Sequence, residues 1–319
     1  MKTIVAIGGG ELGELETIPI DREIVKLSGK IFSHVKTRVY TPVSIYRAEN
    51  EFLRIGPRDI IGEELALHKK LLEFDFPIPR ILSEGEMDDQ YYYIETSLGD
   101  TLLGDIFWED MKRDGIVSDE NFRKLLVLVE KFARAQLKTV EKRDSFESFS
   151  RGLHREYIIE ELPYLQEKIC ASFEKLKMRT SVLPTVMTHG DFNPYNIFEA
   201  GVIDFGNAFD APAGYDLMTN IYHSFLFPKD GDFEVTRRYE FSENQIAEYL
   251  SLIDSIYIEN NLPMPSDFVE DFMFGRMIWS AVRMQKLPNI QKWRYEKFER
   301  VLEGYLADDG KVISVIKGL

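Results

Sequence analysis

The sequence predicts an α+β fold in which a small antiparallel sheet precedes a larger, mainly helical part. Three observations predict it. Val35 to Tyr40, Val43 to Ala48 and Glu51 to Ile55 alternate apolar and polar residues over short runs, the period of half-buried strands. Ile61 to Phe74 switches to helical spacing through Ile61, Leu65 and Leu72 and stops ahead of Pro77-Ile78-Pro79. Beyond residue 98 the apolar pattern is helical nearly throughout.

Taken in order, Tyr91-Tyr92-Tyr93-Ile94-Glu95-Thr96-Ser97-Leu98-Gly99 reads as a further strand running into a linker, its tyrosines alternating as packing residues. Ser118-Asp119-Glu120 opens a helix whose stripe is Phe122, Leu125, Leu126, Val129, Phe132 and Ala133. Residues 156–178 form the next. Ser242-Glu243-Asn244-Gln245 is a capping box that predicts a helix through Ile258. Ser266 is expected to open a helix reaching about Gln285, and residues 293–306 form the last.

A chain of 319 residues buries a sizeable core, as one two-lobed unit or two domains. Its single cysteine, Cys170, excludes an internal disulfide and suits a reducing compartment. No apolar run approaches the roughly 18 residues that a membrane span requires. Gly8-Gly9-Gly10-Glu11 breaks the signal-peptide pattern begun at Lys2, so a cytoplasmic protein with no membrane partner is expected. The net charge of −15 argues against nucleic acid, whose phosphates need clustered Lys and Arg. As a long-range field it favours a cationic substrate, although plain solubility accounts for it more simply. Nothing in the pattern fixes an oligomeric state.

One stretch concentrates chemistry. Thr188-His189-Gly190-Asp191-Phe192-Asn193-Pro194-Tyr195-Asn196-Ile197-Phe198 is followed by Gly201-Val202-Ile203-Asp204-Phe205-Gly206. Ile197-Phe198 and Val202-Ile203 are short β-prone runs, and Glu199-Ala200-Gly201 reads as a three-residue turn with its glycine at positive φ. A turn symmetric about Ala200 makes Asp204 the antiparallel partner of Asn196, with Cα atoms roughly 4.5–5.5 Å apart. An amide oxygen and a carboxylate so opposed suit a hard divalent cation such as Mg²⁺. Singly, the Asp and the Asn are ordinary turn formers. Their joint order and spacing ask for more.

That order resembles the catalytic segment of the aminoglycoside phosphotransferase and choline kinase group of small-molecule kinases: His-Gly-Asp, an Asn five residues on, then Ile-Asp-Phe-Gly. The resemblance runs from about residue 31 to 319. It implies a two-lobed protein-kinase-like fold, with an N-lobe at 31–97 and a helical C-lobe at 98–319. It also implies ATP or GTP as donor, Mg²⁺ as metal and a small hydroxylated molecule as acceptor. On matching positions it makes Asp191 the catalytic residue and Asn196 and Asp204 the metal ligands. His189 orients the loop, and Asp216, in Gly214-Tyr215-Asp216-Leu217, braces it. Arg54 takes the phosphate-contacting position on the third strand and Glu64 that of its helix partner. Glu95, Thr96 and Ser97 form the linker whose backbone groups bond adenine.

Two departures stand out. Arg54 replaces the commoner lysine and brings a different geometry. Thr37 to Ser44 holds no glycine, so a glycine-rich phosphate loop is missing, with backbone amides and the Thr41 or Ser44 hydroxyls as substitutes. The motif leaves the acceptor pocket open. Arg276, Trp279 and Arg283 share a helix face and suit an anionic or planar group, or else are salt-bridged to Asp267 or Glu270. Asp210, Glu243 and Asp254 would instead suit an amine.

Residues 1–30 stand apart. Gly8 to Gly13 satisfies G-x-G-x-x-G, but the helix and second strand of a dinucleotide site do not follow. Ile4 to Glu11 with Ile18 to Val25 resembles the N-terminus of peptidase E-type serine peptidases as far as about Lys30, without that family's catalytic segment. The stretch is expected to be an N-terminal extension with no peptidase site. The expected activity is therefore phosphoryl transfer to a small alcohol. The rival is a non-catalytic nucleotide- or metabolite-binding module, which the missing glycines favour. A protein kinase is opposed by the lack of an Ala-Pro-Glu segment after Asp204.

Overall fold

The structure, a computed structural model, describes residues 22–38, 41–141, 146–227, 238–282, 288–307 and 311–318. The described residues divide into two compact units, one comprising residues 22–101 with Phe198–Ile203, the other the described residues of Leu102–Ile197 and Asp204–Leu319. An antiparallel-sheet lobe and a helix-rich lobe make up the kinase-like fold that the sequence predicts.

The first unit holds β1 (Ile24–Leu27), β2 (Lys30–Thr37), β3 (Ser44–Ala48), β4 (Glu51–Gly56), helix α1 (Arg58–Glu73), β5 (Ile81–Met87) and β6 (Gln90–Thr96). The strands form one six-stranded antiparallel sheet in the order β1-β2-β3-β4-β6-β5. Strand alternation splits the side chains between two faces. Val25, Phe32, Tyr46, Leu53, Ile55 and Ile94 cluster on one, with Tyr92 against them. Val43, Ile61, Leu65 and Tyr93 cluster on the face that α1 covers. The tyrosine run thus packs both ways.

The expected boundary at residue 31 needs correction. Ser28 and Gly29 take φ of 52° and 77°, the two-residue turn that matches the right-handed twist of a hairpin, and it joins β1 to β2. Ile24–Leu27, placed in an extension by the sequence, is therefore an edge strand of this sheet. Residues 1–21, with Gly8 to Gly13 and most of the peptidase-like stretch, lie outside the described residues.

The second unit contains α2 (Leu103–Asp114), α3 (Asp119–Leu137), α4 (Phe146–Gly152), α5 (Arg155–Glu161), α6 (Gln166–Thr180) and β7 (Thr185–Met187). The chain passes at Phe198–Ile203 through the first unit, in the hairpin of β8 (Ile197–Phe198) and β9 (Gly201–Val202), and the second unit resumes with β10 (Asp210–Pro212), which pairs antiparallel with β7. Helices α7 (Tyr215–Ile221), α8 (Glu243–Glu259), α9 (Val269–Ala281), α10 (Pro288–Leu306) and α11 (Val312–Gly318) complete it. No helix among the described residues is long and apolar enough to cross a membrane.

The capping box at Ser242 forms as read, with Gln245 N–H donating to Ser242 Oγ at 3.2 Å and Ser242 N–H to Gln245 Oε1 at 2.9 Å. Two helices differ from expectation. Pro163 lacks an N–H and splits the 156–178 run into α5, a 3₁₀ turn at Pro163–Leu165, and α6. Ser266 does not cap α9. It sits inside a 3₁₀ turn, Pro265–Phe268, and its hydroxyl donates to Asp254 Oδ2 at 2.6 Å.

A buried acid of α2, Asp110, is tied to the start of α3. Asp110 is 2% exposed and accepts from Ser118 N–H at 2.9 Å, Ser118 Oγ at 2.7 Å, Asn121 Nδ2 at 2.8 Å and Arg113 at 2.6 Å. Burial alone would raise its carboxyl, but these donors outweigh burial and hold it at about 2. A depressed folded value contributes stability above the unfolded carboxylate range, lost as pH falls through the folded value. Asp110→Ala is expected to lower the unfolding free energy at neutral pH by about 2 kcal/mol. In urea titrations the gap between the two proteins should shrink as pH drops from about 4.

Candidate active site

Strand β7 ends at Met187 and delivers Thr188, whose N–H and Oγ1 both donate to the Phe209 carbonyl at 2.9 and 2.6 Å. The chain then turns sharply at Gly190, φ 75°. A Cβ there would lie 2.0 Å from the Asn207 carbonyl oxygen, so only glycine fits.

The loop's backbone is held from behind. Asp216, buried in the first turn of α7, accepts from His189 N–H at 2.6 Å and Gly190 N–H at 3.2 Å. Gln136 Nε2 donates to Asp216 Oδ2 at 3.1 Å and to the Met187 carbonyl at 3.1 Å. Burial pushes the Asp216 carboxyl above its ordinary range, although His189 and the two backbone donors work the other way. His189 is fully buried, and its Nδ1 accepts from Asp191 N–H at 3.2 Å, so that nitrogen carries no proton. Its ring lies 4.4 Å from Phe205.

Asp191 is half-buried and well supplied with donors. Oδ1 accepts from Asn193 Nδ2 at 2.9 Å and from an Arg276 guanidinium NH2, and Oδ2 accepts from Asn196 Nδ2 at 3.4 Å. Burial acts to raise its carboxyl, but Arg276 prevails and holds it at about 2. Asn193 also caps the 3₁₀ turn Pro194–Asn196 through Tyr195 N–H at 2.9 Å. That turn brings Asn196 Nδ2 to 2.9 Å from the Asp191 carbonyl.

The ladder expected between Asn196 and Asp204 does not form. Pro194 draws Asn196 into the 3₁₀ turn, and Asp204 sits at φ 69° immediately before another, Phe205–Asn207. Gly201 is not the turn glycine either. Glu199 and Ala200 make the turn, and Gly201 lies in β9, where a Cβ would meet the Pro77 carbonyl oxygen at 2.4 Å. The structure thus joins Asp191 to Asn196, while the exposed Asp204 side chain bonds neither.

Arg276 is where expectation and structure part most. Its partner is neither Asp267 nor Glu270 but Asp191, 85 residues away, and its NH1 donates to the Gly190 carbonyl at 2.9 Å. Its guanidinium lies 3.7 Å above the Trp279 ring. His223 Nδ1 is 3.4 Å from NH2, and because a guanidinium only donates, that nitrogen is unprotonated. Burial, with Arg276's charge, pushes His223 down to about 3. Asp210 lies on β10 opposite Met187, outside this group, and Arg283 falls outside the described residues. Sequence reasoning missed His223 and the Arg276–Asp191 pair, which have no local signal. Asn193 had one, the Asn-Pro step that favours a capped turn.

In the first unit, Arg54 is 14% exposed and donates Nε to Glu95 Oε1 at 2.8 Å, with Glu64 Oε2 3.9 Å from NH1. Burial opposes its charge, yet Glu95 keeps Arg54 above its ordinary value. Glu64, expected as the partner of Arg54, is bonded more closely by Arg38, which lies in the glycine-free turn. Glu95, expected to offer backbone groups, is paired on both sides within the sheet and points its carboxylate at Arg54. The N–H groups of Thr96 and Ser97 are taken by the Arg80 and Asn50 carbonyls at 3.0 and 2.7 Å.

A family model described as "Phosphotransferase enzyme family" matches residues 48–249. No curated protein matches the chain. Among solved structures, an aminoglycoside phosphotransferase, APH(3'')-Id of Streptomyces rimosus, in complex with ADP and streptomycin, is 14% identical; the match covers 79% of this chain and 91% of that one, at a TM-score of 0.46. A choline/ethanolamine kinase family protein of Mesorhizobium loti is 12% identical over 90% of this chain and 92% of that one, at a TM-score of 0.44.

Gly190→Ala places a methyl into the Asn207 carbonyl at a positive φ. It is expected to cost more than about 2 kcal/mol in urea unfolding, beyond the usual penalty for a mismatched backbone.

Proposed function

The chain belongs to the phosphotransferase enzyme family, and we propose that within it the protein transfers the γ-phosphoryl group of ATP to a hydroxyl of a small molecule. One observation carries this reading. Asp191 is kept ionised with Oδ1 occupied by Asn193 and Arg276, while among the described residues Oδ2 has only Asn196, at 3.4 Å. Such an oxygen can orient an incoming hydroxyl and receive its proton.

The reaction assigned is in-line displacement. The acceptor oxygen bonds to phosphorus as the bond to the bridging oxygen breaks, ADP leaves with that electron pair, and the hydroxyl proton passes to Asp191 Oδ2. A carboxylate held at about 2 is a weak base, so the proton moves late, once the new bond has drained charge from the alcohol oxygen. Asp191 therefore works chiefly by orientation. His189 and Asp216 fix the loop that carries it.

The donor set suits Mg²⁺. Asn196 spends Nδ2 on Asp191, which leaves Oδ1 as its acceptor, and Asp204 offers an exposed carboxylate. We assign the metal to these two side chains; when bound it supplies charge neutralisation at the phosphates. Arg54, oriented by Glu95, is assigned to the phosphates as well. The acceptor is a small hydroxylated metabolite or drug, with Trp279 beside the site.

A second reading, a binding module without catalysis, is favoured by the glycine-free turn and by the engagement of Arg54 with buried Glu95. The two separate in one experiment. MgATP should raise the melting temperature while ATP with chelator does not, and ATP consumption should appear against a library of alcohols and aminoglycosides. Asp191→Ala should lower turnover by at least about 10²-fold, with MgATP binding kept within about two-fold. Unchanged turnover would refute the role given to Asp191.

A further inference from the structure

We propose that Arg276 is a positioning residue for the transfer: by holding Asp191 Oδ1 and the Gly190 carbonyl together it fixes the rotation of the carboxylate and presents Oδ2 to the acceptor hydroxyl. This rests on the reading of Asp191 as proton acceptor.

The grip is two-pointed. NH1 binds the Gly190 carbonyl at 2.9 Å and NH2 binds the next residue's carboxylate, so the planar fork sets backbone and side chain of the loop relative to each other. The fork itself cannot swing. It is stacked on Trp279 at 3.7 Å, flanked by His223 and buried beside Tyr215.

A comparison with two ion pairs of the unit whose acid is buried separates presentation from neutralisation. In Asp110–Arg113 the acid is 2% exposed and the arginine 62%; in Asp271–Arg179 the figures are 1% and 45%. There an outer arginine neutralises a buried acid. Asp191–Arg276 inverts the pattern, with the acid 21% exposed and the arginine 1%. Burying a guanidinium so completely is a poor way to add stability, because desolvation consumes most of the attraction. It is an effective way to hold a carboxylate outward at one angle.

Other charged or titratable groups facing the pair among the described residues are His189 from the loop, His223 from the turn after α7, Tyr215 and Asp216 from α7, and Tyr239 from the segment before α8. His223 is held neutral, so Arg276 supplies the positive charge at Asp191.

The test uses the full chain, with water as phosphoryl acceptor and MgATP as donor. Arg276→Gln keeps donors without charge; Arg276→Lys keeps charge without the fork. Each is expected to lower kcat for hydrolysis by about 10- to 100-fold, the scale of a misplaced catalytic group, with MgADP affinity by calorimetry within about two-fold of wild type. In both variants the loss should fall on kcat, with the KM for MgATP within about two-fold of wild type. A purely structural arginine would alter melting temperature, KM and MgADP affinity together with kcat. Wild-type kcat in folded Arg276→Gln overturns the proposal. Should the Gln variant not fold, Arg276→Lys decides: reduced kcat with MgADP affinity kept supports it, and wild-type kcat overturns it. If wild type neither hydrolyses MgATP nor binds MgADP, the kinase reading fails on its own. The ¹³C carboxyl signal of Asp191 at neutral pH, identified by difference against Asp191→Asn, then decides for Arg276: a displaced or broadened signal in Arg276→Lys supports it, an unchanged signal overturns it.

Discussion

The buried carboxylate of Asp216 is the contact on which the candidate site depends. The His189-Gly190 turn belongs to no strand ladder, so its N–H groups have no partner supplied by secondary structure. Leaving each buried and unbonded would cost about 1–3 kcal/mol. Asp216 takes both, and Gln136 ties that carboxylate to the Met187 carbonyl at the end of β7. Placement of the acid is also local. Gly214, at φ 101°, starts α7 so that Asp216 falls in its first turn, where the unpaired N–H groups of the helix favour negative charge.

From this fixed backbone each candidate side chain is set by a short-range device. Asn193 does two things at once, capping the 3₁₀ turn and donating to Asp191 Oδ1. The capped turn then aims Asn196, and the orientation of its amide follows from chemistry: the nitrogen must face the Asp191 oxygens, so the oxygen faces away from them. Asp204 reaches its place differently, through a left-handed backbone conformation that aspartate tolerates better than most residues. A metal-binding role for the two residues therefore rests on backbone turns rather than on a β-ladder.

What the sequence made legible was what local rules encode. The capping box at Ser242, the cap at Ser118, the sheet strands and the His-Gly-Asp loop each declare themselves within a few residues. Failures came where tertiary structure overrides or supplements such rules. Gly201 looked like a turn residue, but its glycine answers to the Pro77 carbonyl, a contact more than a hundred residues away in sequence. Ser266 had the grammar of an N-cap and instead found Asp254. The strand Ile24–Leu27 was hidden by a resemblance extending across it, although Ser28-Gly29 is a hairpin signal in its own right. Arg276 could be placed on a helix face, but nothing in its neighbourhood says that the facing acid is Asp191.

The sheet unit applies the same logic in reverse, with carboxylates orienting cations. Arg54 is gripped at Nε by Glu95, and Glu64 stands between Arg54 and Arg38. A lysine at position 54 would gather its three N–H donors on one ammonium, whereas Arg54 meets Glu95 through Nε and faces Glu64 with NH1, at separate points of a rigid plane. The arginine is therefore coupled to the acid on β6, and the two are best understood as one substitution of chemistry rather than as a conservative exchange. Arg38 extends the reasoning to the turn that lacks glycines. Arg38 donates to Glu64 from that turn, and the tie keeps its charge ordered and balanced against an acid of α1.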